Sequence, residues 1–151
     1  MSYSTSSKEE LSSCDFRIQE IFNIVGEEYE STIIRGHRGE AEQNHYFYTG
    51  RSKVKFPYGK HNSMPSLAVD AAPYNIARRG IPWPKVPTDW NDKNQRQFYI
   101  KDLAEFYHFA AYVIAVARRL GYKIRWGGDW DMDHDFRDNN FDDLVHFEII
   151  E

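Results

Sequence analysis

The sequence predicts a small α+β domain in which helices flank a short antiparallel sheet. Some segments place apolar residues at steps of three and four, which is typical of amphipathic helices, and short β-branched runs lie between them. The helical segments cluster and do not alternate regularly with strands, and this order favours an antiparallel sheet. A chain of 151 residues has the length of one ordinary domain, so we expect a single domain.

The N-terminal region predicts a disordered start followed by a helix. Residues 1–10 are polar and rich in serine, and we expect them to be disordered ahead of a domain that spans 11–151. An apolar stripe between residues 11 and 29 predicts a helix, for which Ser12 or Ser13 would be the cap.

Two further helices are predicted on either side of the middle of the chain. The β-branched run 31–35 predicts a strand, and a turn with two glycines leads from it into a helix over 40–48. The clearest apolar stripe predicts the longest helix over 103–120, with Gly121 as the residue that ends it.

A long loop is predicted between these helices. Residues 50–94 have little periodicity and contain all six prolines, so we expect only one short strand there, at 67–72. A loop of this length inside a small domain is typical of a functional surface. The runs 122–126 and 145–150 predict the last two strands.

The composition excludes a nucleic-acid-binding protein and a membrane-anchored one. The formal net charge is −4 and the Lys and Arg residues are scattered, whereas phosphate binding needs a clustered basic face. No stretch approaches the roughly 20 apolar residues of a membrane-spanning helix, and the start has no apolar signal segment. We therefore expect a cytoplasmic monomer without stable membrane association, in which the single cysteine, Cys14, forms no internal disulfide.

Two segments far apart in sequence carry residues that suit a metal site. His61 and Asp70 are joined by a loop, and the small neighbours of Asp70 leave room for an ion. In the last strand, alternation turns His146 away from the core. Two imidazoles and one carboxylate are enough for a catalytic zinc site, which needs three protein ligands and an open fourth position. Asp143 would then be the acid that accepts a proton from water.

Four stretches of the chain together form a recognisable pattern. They are Gly36-His37-Arg38-Gly39 with Gln43, the run 59–74, Trp126-Gly127-Gly128-Asp129-Trp130-Asp131, and Asn140-Phe141-Asp142-Asp143-Leu144-Val145-His146-Phe147-Glu148. In this order they resemble the M15 family of zinc peptidases, the group of D-Ala-D-Ala carboxypeptidases and phage L-alanyl-D-glutamate endopeptidases. The resemblance extends over nearly the whole chain, from about residue 11 to residue 151.

The resemblance implies a role for each candidate residue. The zinc ligands of the family fall on His61, Asp70 and His146, and its general base falls on Asp143. The interval between the first two ligands is longer than in many members, and Val145 stands where a proline is common. Neither departure removes a ligand.

Two more residues receive roles in substrate binding from the resemblance. Arg38 matches the arginine that contacts the substrate carboxylate or the developing oxyanion, which suits a forked guanidinium. Gln43 belongs to the same motif and is expected to bind substrate with it. The implied fold is that of the hedgehog and DD-peptidase group, with a long active-site loop.

The function implied by the resemblance is hydrolysis of the stem peptide of peptidoglycan. The single-domain phage and prophage endolysins are the most similar group, which implies cleavage of the L-alanyl-D-glutamate bond. Such a protein would remain in the host cytoplasm until its release to the periplasm and cell wall at lysis. The alternatives are a D-alanyl-D-alanine carboxypeptidase or dipeptidase, and a non-catalytic metal-binding module of the cell wall.

An acidic segment before the last strand suggests a second metal. Its aspartates are Asp129, Asp131, Asp133, Asp135, Asp138 and Asp142. Alternate acids are typical of the start of an EF-hand loop, so Ca²⁺ is one interpretation, and related phage lysins carry a calcium-regulated loop here. However, His134 and Asn140 stand where an EF-hand has Gly and Glu. The other interpretation is a solvated acidic loop, or one held by Arg125 and Arg137.

Overall fold

The computed structural model describes residues 3–151 and confirms the α+β prediction. Within this range four strands form one sheet: β1 (Ser31–Arg35), β2 (Ala68–Pro73), β3 (Ile124–Gly127) and β4 (Asp143–Ile149). Their order across the sheet is β1-β2-β4-β3, and every neighbouring pair is antiparallel. The last strand of the chain therefore lies in the middle of the sheet, beside β2.

Helices complete the domain. They are α1 (Thr5–Ser12), α2 (Phe16–Glu28), α3 (Glu40–Tyr48) and α4 (Lys93–Arg119), and Lys60–Asn62 form one short 3₁₀ turn. α1 packs against β1, α2 packs against α4, and α4 lies across β2, β3 and β4. No helix in the range 3–151 is both long and apolar enough to cross a membrane.

The core lies between these helices and one face of the sheet. Strand alternation sends Val69 into it from β2, and Phe147 and Ile149 from β4. Phe147 contacts the rings of Phe22 and Phe109 edge to face, at centroid distances of 5.7 and 6.1 Å. The intervening residues of β2 and β4 must therefore point to the opposite face of the sheet.

The prediction of a disordered start is wrong for residues 5–10, which belong to α1. The Ser4 side chain caps this helix by accepting a hydrogen bond from the backbone N–H of Ser7. The Ser7 hydroxyl in turn accepts a hydrogen bond from the backbone N–H of Ile33 (3.1 Å), which docks α1 on β1. Residues 1 and 2 lie outside the described residues.

The single helix predicted over 11–29 is divided into α1 and α2. Cys14 pairs with Ser66 through a parallel bridge, and this long-range contact takes the chain out of the helix. The cap of α2 is Asp15, which accepts a hydrogen bond from the backbone N–H of Arg17, so neither predicted serine caps it. The boundary between α1 and α2 is therefore set by contacts between residues that are distant in sequence.

The longest helix begins about ten residues before the predicted start near 103. Asp92 caps it by accepting hydrogen bonds from the backbone N–H groups of Asn94 and Gln95. Its first turns have no buried stripe, because Phe98 and Ile100 are 62% and 59% exposed. The irregular segment predicted to end at 94 therefore ends at Asp92.

Candidate metal centre

Pairing of β2 with β4 brings together residues that are far apart in sequence. Asp70 and His146 are direct partners in the antiparallel register, and both point to the face of the sheet opposite the core. His61 reaches the same point from the 3₁₀ turn, which lies against β2. All three residues are buried, with at most 9% of their surface exposed.

Three side-chain atoms converge at this point. His61 Nε2 lies 3.1 Å from Asp70 Oδ1 and 3.3 Å from His146 Nδ1, and His146 Nδ1 lies 3.4 Å from Asp70 Oδ1. A tetrahedral zinc ion with bonds of about 2.0–2.1 Å has neighbouring ligand atoms about 3.3–3.4 Å apart. The triangle therefore fits three zinc ligands without rearrangement.

The other nitrogen of each imidazole is already bonded to the protein. His61 Nδ1 lies 2.7 Å from the carbonyl oxygen of Gly36, and His146 Nε2 lies 2.9 Å from Glu148 Oε1. Since these partners accept hydrogen bonds, they hold the proton of a neutral ring on the outer nitrogen. Two nitrogen lone pairs and a carboxylate oxygen then face one another, an arrangement that favours a cation between them.

The electrostatics of the triangle favour positive charge at its centre. Burial opposes ionisation of Asp70, but the charges and hydrogen bonds of His61 and His146 outweigh it and lower the pKa of Asp70. Burial likewise opposes charge on His146, whereas its hydrogen bonds with Asp70 and Glu148 raise the pKa to about 9.

Asp143 lies at the start of β4, at the edge of the same cavity. Burial raises its pKa and the negative charge of Asp70 raises it further, while His146, His61 and Arg38 oppose the shift through their positive charge. A half-buried carboxylate with a raised pKa at the edge of a cavity is a candidate for proton transfer.

Arg38 approaches the centre from the side of Asp70. Its Nη2 donates to Asp70 Oδ2 at 3.3 Å, and its guanidinium lies 4.6 Å from the centroid of the Tyr46 ring. The backbone N–H of Arg38 donates to the carbonyl oxygen of His61. The arginine predicted to contact substrate is thus held beside a candidate ligand.

Gln43, on α3, holds the Arg38 side chain through a hydrogen bond. Its side chain is 2% exposed, and its Oε1 accepts hydrogen bonds from Arg38 Nη1 and Asn62 Nδ2. Its Nε2 donates to Ser52 Oγ and to the carbonyl oxygen of Val54. These contacts are those of a residue that positions Arg38 and the following loop, and direct substrate binding by Gln43 stays a prediction.

Glu148 also belongs to this centre, although the sequence analysis assigned it no role. Its Oε2 accepts a hydrogen bond from Arg125 Nη2 at 2.9 Å, while Oε1 holds His146. Burial opposes its charge, but the hydrogen bonds from His146 and Arg125 lower its pKa to about 2. Alternation placed Glu148 beside His146 on one face, which was the available signal, but the pairing with Arg125 depends on the register of β3.

A cavity of about 890 Å³ opens over the centre. Trp130 and Phe141 form one wall, and the Trp130 ring lies 5.5 Å from the His146 ring. The basic residues that line the cavity are Arg38, Arg51, Lys53, Lys60 and Arg125. Its size and aromatic lining suit a short peptide.

The acidic segment forms a separate cluster. Carboxylate oxygens of Asp129, Asp131 and Asp133 all lie within 4.8 Å of one another. Asp135 lies outside this cluster and accepts a hydrogen bond from Arg137 Nε, so only one of the two expected arginine contacts forms within the loop. Arg125 pairs with Glu148 instead.

Comparisons with known proteins find a related sequence and a similar solved structure. The L-alanyl-D-glutamate peptidase of Escherichia phage T5 is 28% identical over 110 residues, which cover 73% of this chain and 66% of that protein. The chain thus matches slightly less than two thirds of the length of this relative. The crystal structure of the Serratia marcescens L-Ala D-Glu endopeptidase ChiX matches with a TM-score of 0.61 at 20% identity, over 99% of this chain and 90% of that one.

The family profile described as phage L-alanyl-D-glutamate peptidase matches residues 1–150, a range that contains every candidate residue of the centre. It confirms the resemblance inferred from the motifs, and the match to ChiX confirms the fold. The chain belongs to the phage L-alanyl-D-glutamate peptidase family.

Proposed function

We propose that this chain is a zinc peptidase that hydrolyses the L-alanyl-D-glutamate bond in the stem peptide of peptidoglycan. The observation that carries the proposal is the triangle of His61 Nε2, Asp70 Oδ1 and His146 Nδ1, whose edges of 3.1–3.4 Å match a tetrahedral zinc site. Membership of the peptidase family supports the reaction, and the cavity above the triangle has room for the substrate.

The metal and the residues around the triangle would each have a separate role in hydrolysis. Bound zinc would supply Lewis acidity, which polarises the substrate carbonyl and makes water a nucleophile at neutral pH. Asp143 would accept the proton of the attacking water on its carboxylate and return it to the leaving amine. Arg38 would donate N–H groups to the oxyanion, because only part of its fork is used by Asp70 and Gln43.

The proposed reaction is tested on purified Gram-negative sacculi with added zinc and, in parallel, with excess chelator. Mass spectrometry of the released fragments should show new L-alanine carboxyl ends and new D-glutamate amino ends, and chelator should abolish both. Release of free D-alanine would instead establish the carboxypeptidase alternative. Binding to sacculi without any new ends would establish the non-catalytic module.

Asp143→Ala separates the proposed base from the metal ligands. The variant should bind zinc like the wild type but lose about 10²- to 10⁴-fold in turnover, the range that a general base contributes. His146→Ala should lose both zinc and turnover. Asp138→Ala, which removes an exposed acid of the same segment, is the matched control and should retain activity. Full activity of Asp143→Ala would refute the assignment of the base.

We also propose that the cluster of Asp129, Asp131 and Asp133 binds calcium. Its oxygens lie within 4.8 Å of one another, about twice a Ca–O distance of 2.3–2.6 Å. Asp129 is 7% exposed, and its Oδ1 has no hydrogen-bond partner within residues 3–151. His134 adopts a φ of +72°, so it provides the left-handed turn that glycine provides in an EF-hand.

The calcium proposal is tested by titrating the zinc-loaded protein with Ca²⁺ in a calorimeter. Because Asn140 replaces the bidentate glutamate of an EF-hand, we expect a dissociation constant of about 10⁻⁵–10⁻³ M. Asp129→Asn should abolish the binding heat, whereas Asp138→Asn should preserve it. If the wild-type protein shows no saturable heat of binding at millimolar Ca²⁺, the calcium proposal is refuted and the segment is a solvated acidic loop.

The proposed substrate also bears on where the protein acts. Peptidoglycan lies outside the cytoplasmic membrane, and we propose that the protein acts there as a monomer after its release from the host cytoplasm at lysis. Family membership supports this course of events, because the family is described as phage peptidases.

A further inference from the structure

We propose that Arg51 and Lys53, on the rim of the cavity, bind a free carboxylate next to the scissile bond, so that the peptidase discriminates against substrates in which this carboxylate is amidated. The inference rests on the proposed function and adds a determinant of specificity to it. It is carried by the charge of the cavity, the absence of a carboxylate partner for either cation within residues 3–151, and the rigidity of the segment that bears them.

The proposed substrate has a carboxylate available for recognition. A glutamyl residue has two carboxyl groups, and only one of them can continue the peptide chain. The other is negatively charged near neutral pH and lies within one residue of the bond that is cut. When this group is a carboxamide, the peptide has nearly the same shape but lacks the charge.

The cavity is more basic than the rest of the molecule. The chain has a net charge of −4, but five basic side chains and three carboxylates, Asp70, Asp143 and Glu148, line the cavity. Two of these carboxylates are neutralised locally, since Asp70 contacts both imidazoles and Arg38, and Glu148 contacts His146 and Arg125. An anionic ligand would therefore meet net positive charge there.

Three of the five cations are already engaged by the protein. Arg38 donates to Asp70, Arg125 donates to Glu148, and Lys60 Nζ donates to the carbonyl oxygen of Ile149. Arg51 and Lys53 are exposed, and no carboxylate of the described range 3–151 lies within ion-pair distance of either. Their side chains contact the aromatic rings of Tyr46 and Phe141, and within residues 3–151 they form no ion pair that a ligand would have to displace.

The segment that carries them is fixed in place. The backbone N–H groups of Arg51 and Ser52 both donate to the carbonyl oxygen of Tyr46, at 2.8 and 3.0 Å. The buried Gln43 holds the same segment through Ser52 Oγ and the carbonyl oxygen of Val54. Because the backbone is already ordered, binding a carboxylate here requires ordering of the two side chains but not of the loop that carries them.

Aromatic rings connect both cations to residues of the centre: one ring lies between Arg51 and Arg38, and two rings lie between Lys53 and His146. The Arg51 guanidinium lies 5.8 Å from the Tyr46 ring, which also stacks on Arg38 at 4.6 Å. Lys53 Nζ lies 5.7 Å from the Phe141 ring, in the wall that reaches His146. Arg51 and Lys53 thus line the same cavity as His61, Asp70 and His146, which is where the residue next to the scissile bond would lie.

The test compares two synthetic stem peptides that differ only at this group, one with the free carboxylate and one with the carboxamide. The wild type should have a higher kcat/KM for the carboxylate peptide. The double variant Arg51→Gln, Lys53→Gln should lose roughly fivefold for that peptide, as expected when two exposed ion pairs are removed, and should be unchanged with the carboxamide. The loss should lie in KM and shrink at high salt.

Lys55→Gln is the matched control, because Lys55 belongs to the same segment but packs near Tyr48, outside the cavity lining. It should cleave both peptides like the wild type. Equal wild-type cleavage of both peptides, or an equal loss on both in the double variant, would overturn this inference and leave the proposed function intact. Cleavage of neither peptide by the folded, zinc-loaded wild type would overturn both.

Discussion

The chemistry of the centre depends on which nitrogen of each imidazole carries the proton. Gly36 and Glu148 accept hydrogen bonds from the outer nitrogens of His61 and His146, which leaves the inner nitrogens free for a metal. These two hydrogen-bond acceptors differ in kind. A backbone carbonyl cannot be removed by substitution, whereas the Glu148 carboxylate can. The effect of the acceptor on metal binding can therefore be measured at Glu148.

We predict that Glu148→Ala weakens zinc binding by about 10- to 100-fold, the range found when the partner of a metal-binding histidine is lost. The proton of His146 would no longer be directed to Nε2, and Arg125 would lose its buried partner. Zinc affinity is measured by competition with a chromophoric chelator at fixed pH. Glu148→Gln, which keeps an acceptor for His146, should recover part of the affinity.

Glu151→Gln is the control for that measurement, since Glu151 is an exposed acid close to the end of the same strand. It should bind zinc like the wild type. An unchanged zinc affinity in Glu148→Ala would show that strand geometry alone orients His146.

At the scale of elements, the β2–β4 register places two of the proposed ligands, Asp70 and His146, and a bulge between β3 and β4 places the proposed base. The register of β3 shifts between Trp126 and Gly127, where Gly127 faces Asp143. A Cβ added at Gly127 would overlap the carbonyl oxygen of Asp143 and lie 3.0 Å from its Cβ. Glycine is therefore required here by the close approach of the two backbones.

We predict that Gly127→Ala displaces Asp143 and lowers turnover by about 100-fold, because a shift near 1 Å is enough to impair proton transfer. The zinc ligands lie on β2, on the 3₁₀ turn and further along β4, so zinc affinity should stay within about threefold of the wild type. Turnover and zinc affinity are measured on the same preparation of each variant. Gly80→Ala, where an added Cβ meets only one atom at 4.0 Å, is the control. Wild-type turnover in Gly127→Ala would mean that the bulge does not position the base.

The elements also show what local sequence can and cannot predict. β1 and α3 coincide with their predictions, because each is defined by its own residues and the turn between them. The orientation of Asp70 and His146 was predictable because alternation in two strands leaves them on the face opposite Val69 and Phe147, whereas their role as zinc ligands was implied by the family resemblance and stays a prediction. The break at Cys14 and the bond between Arg125 and Glu148 depend on pairings across the fold, which local patterns do not contain.

For the whole molecule, the titrating groups of the centre make the stability of the fold depend on pH. The pKa of His146 is raised from 6.5 to about 9 in the metal-free fold. A raised pKa contributes stability that is fully present below pH 6.5 and is lost as the pH rises through 9. The pKa of Glu148 is lowered from 4.5 to about 2, so its contribution is present above pH 4.5 and is lost as the pH falls through 2.

We predict that zinc raises the melting temperature and that the rise grows between pH 6 and pH 9. Binding displaces the proton from His146, so zinc affinity should increase by up to about tenfold per pH unit until the pKa is passed. At a free zinc concentration of 100 times the dissociation constant, the stabilisation is about 2.7 kcal/mol, or roughly 5–10 °C for a domain of this size. Over the same interval the metal-free protein should lose stability.

Differential scanning fluorimetry at pH 6, 7, 8 and 9 gives the melting temperature of the metal-free and of the zinc-loaded protein as two curves against pH. They should diverge as the pH rises, and His146→Ala should remove the divergence, since the titrating imidazole and a zinc ligand are lost together. Curves that stay parallel from pH 6 to pH 9 would mean that zinc does not compete with a proton for His146. The triangle of His61, Asp70 and His146 would then not be where the metal binds.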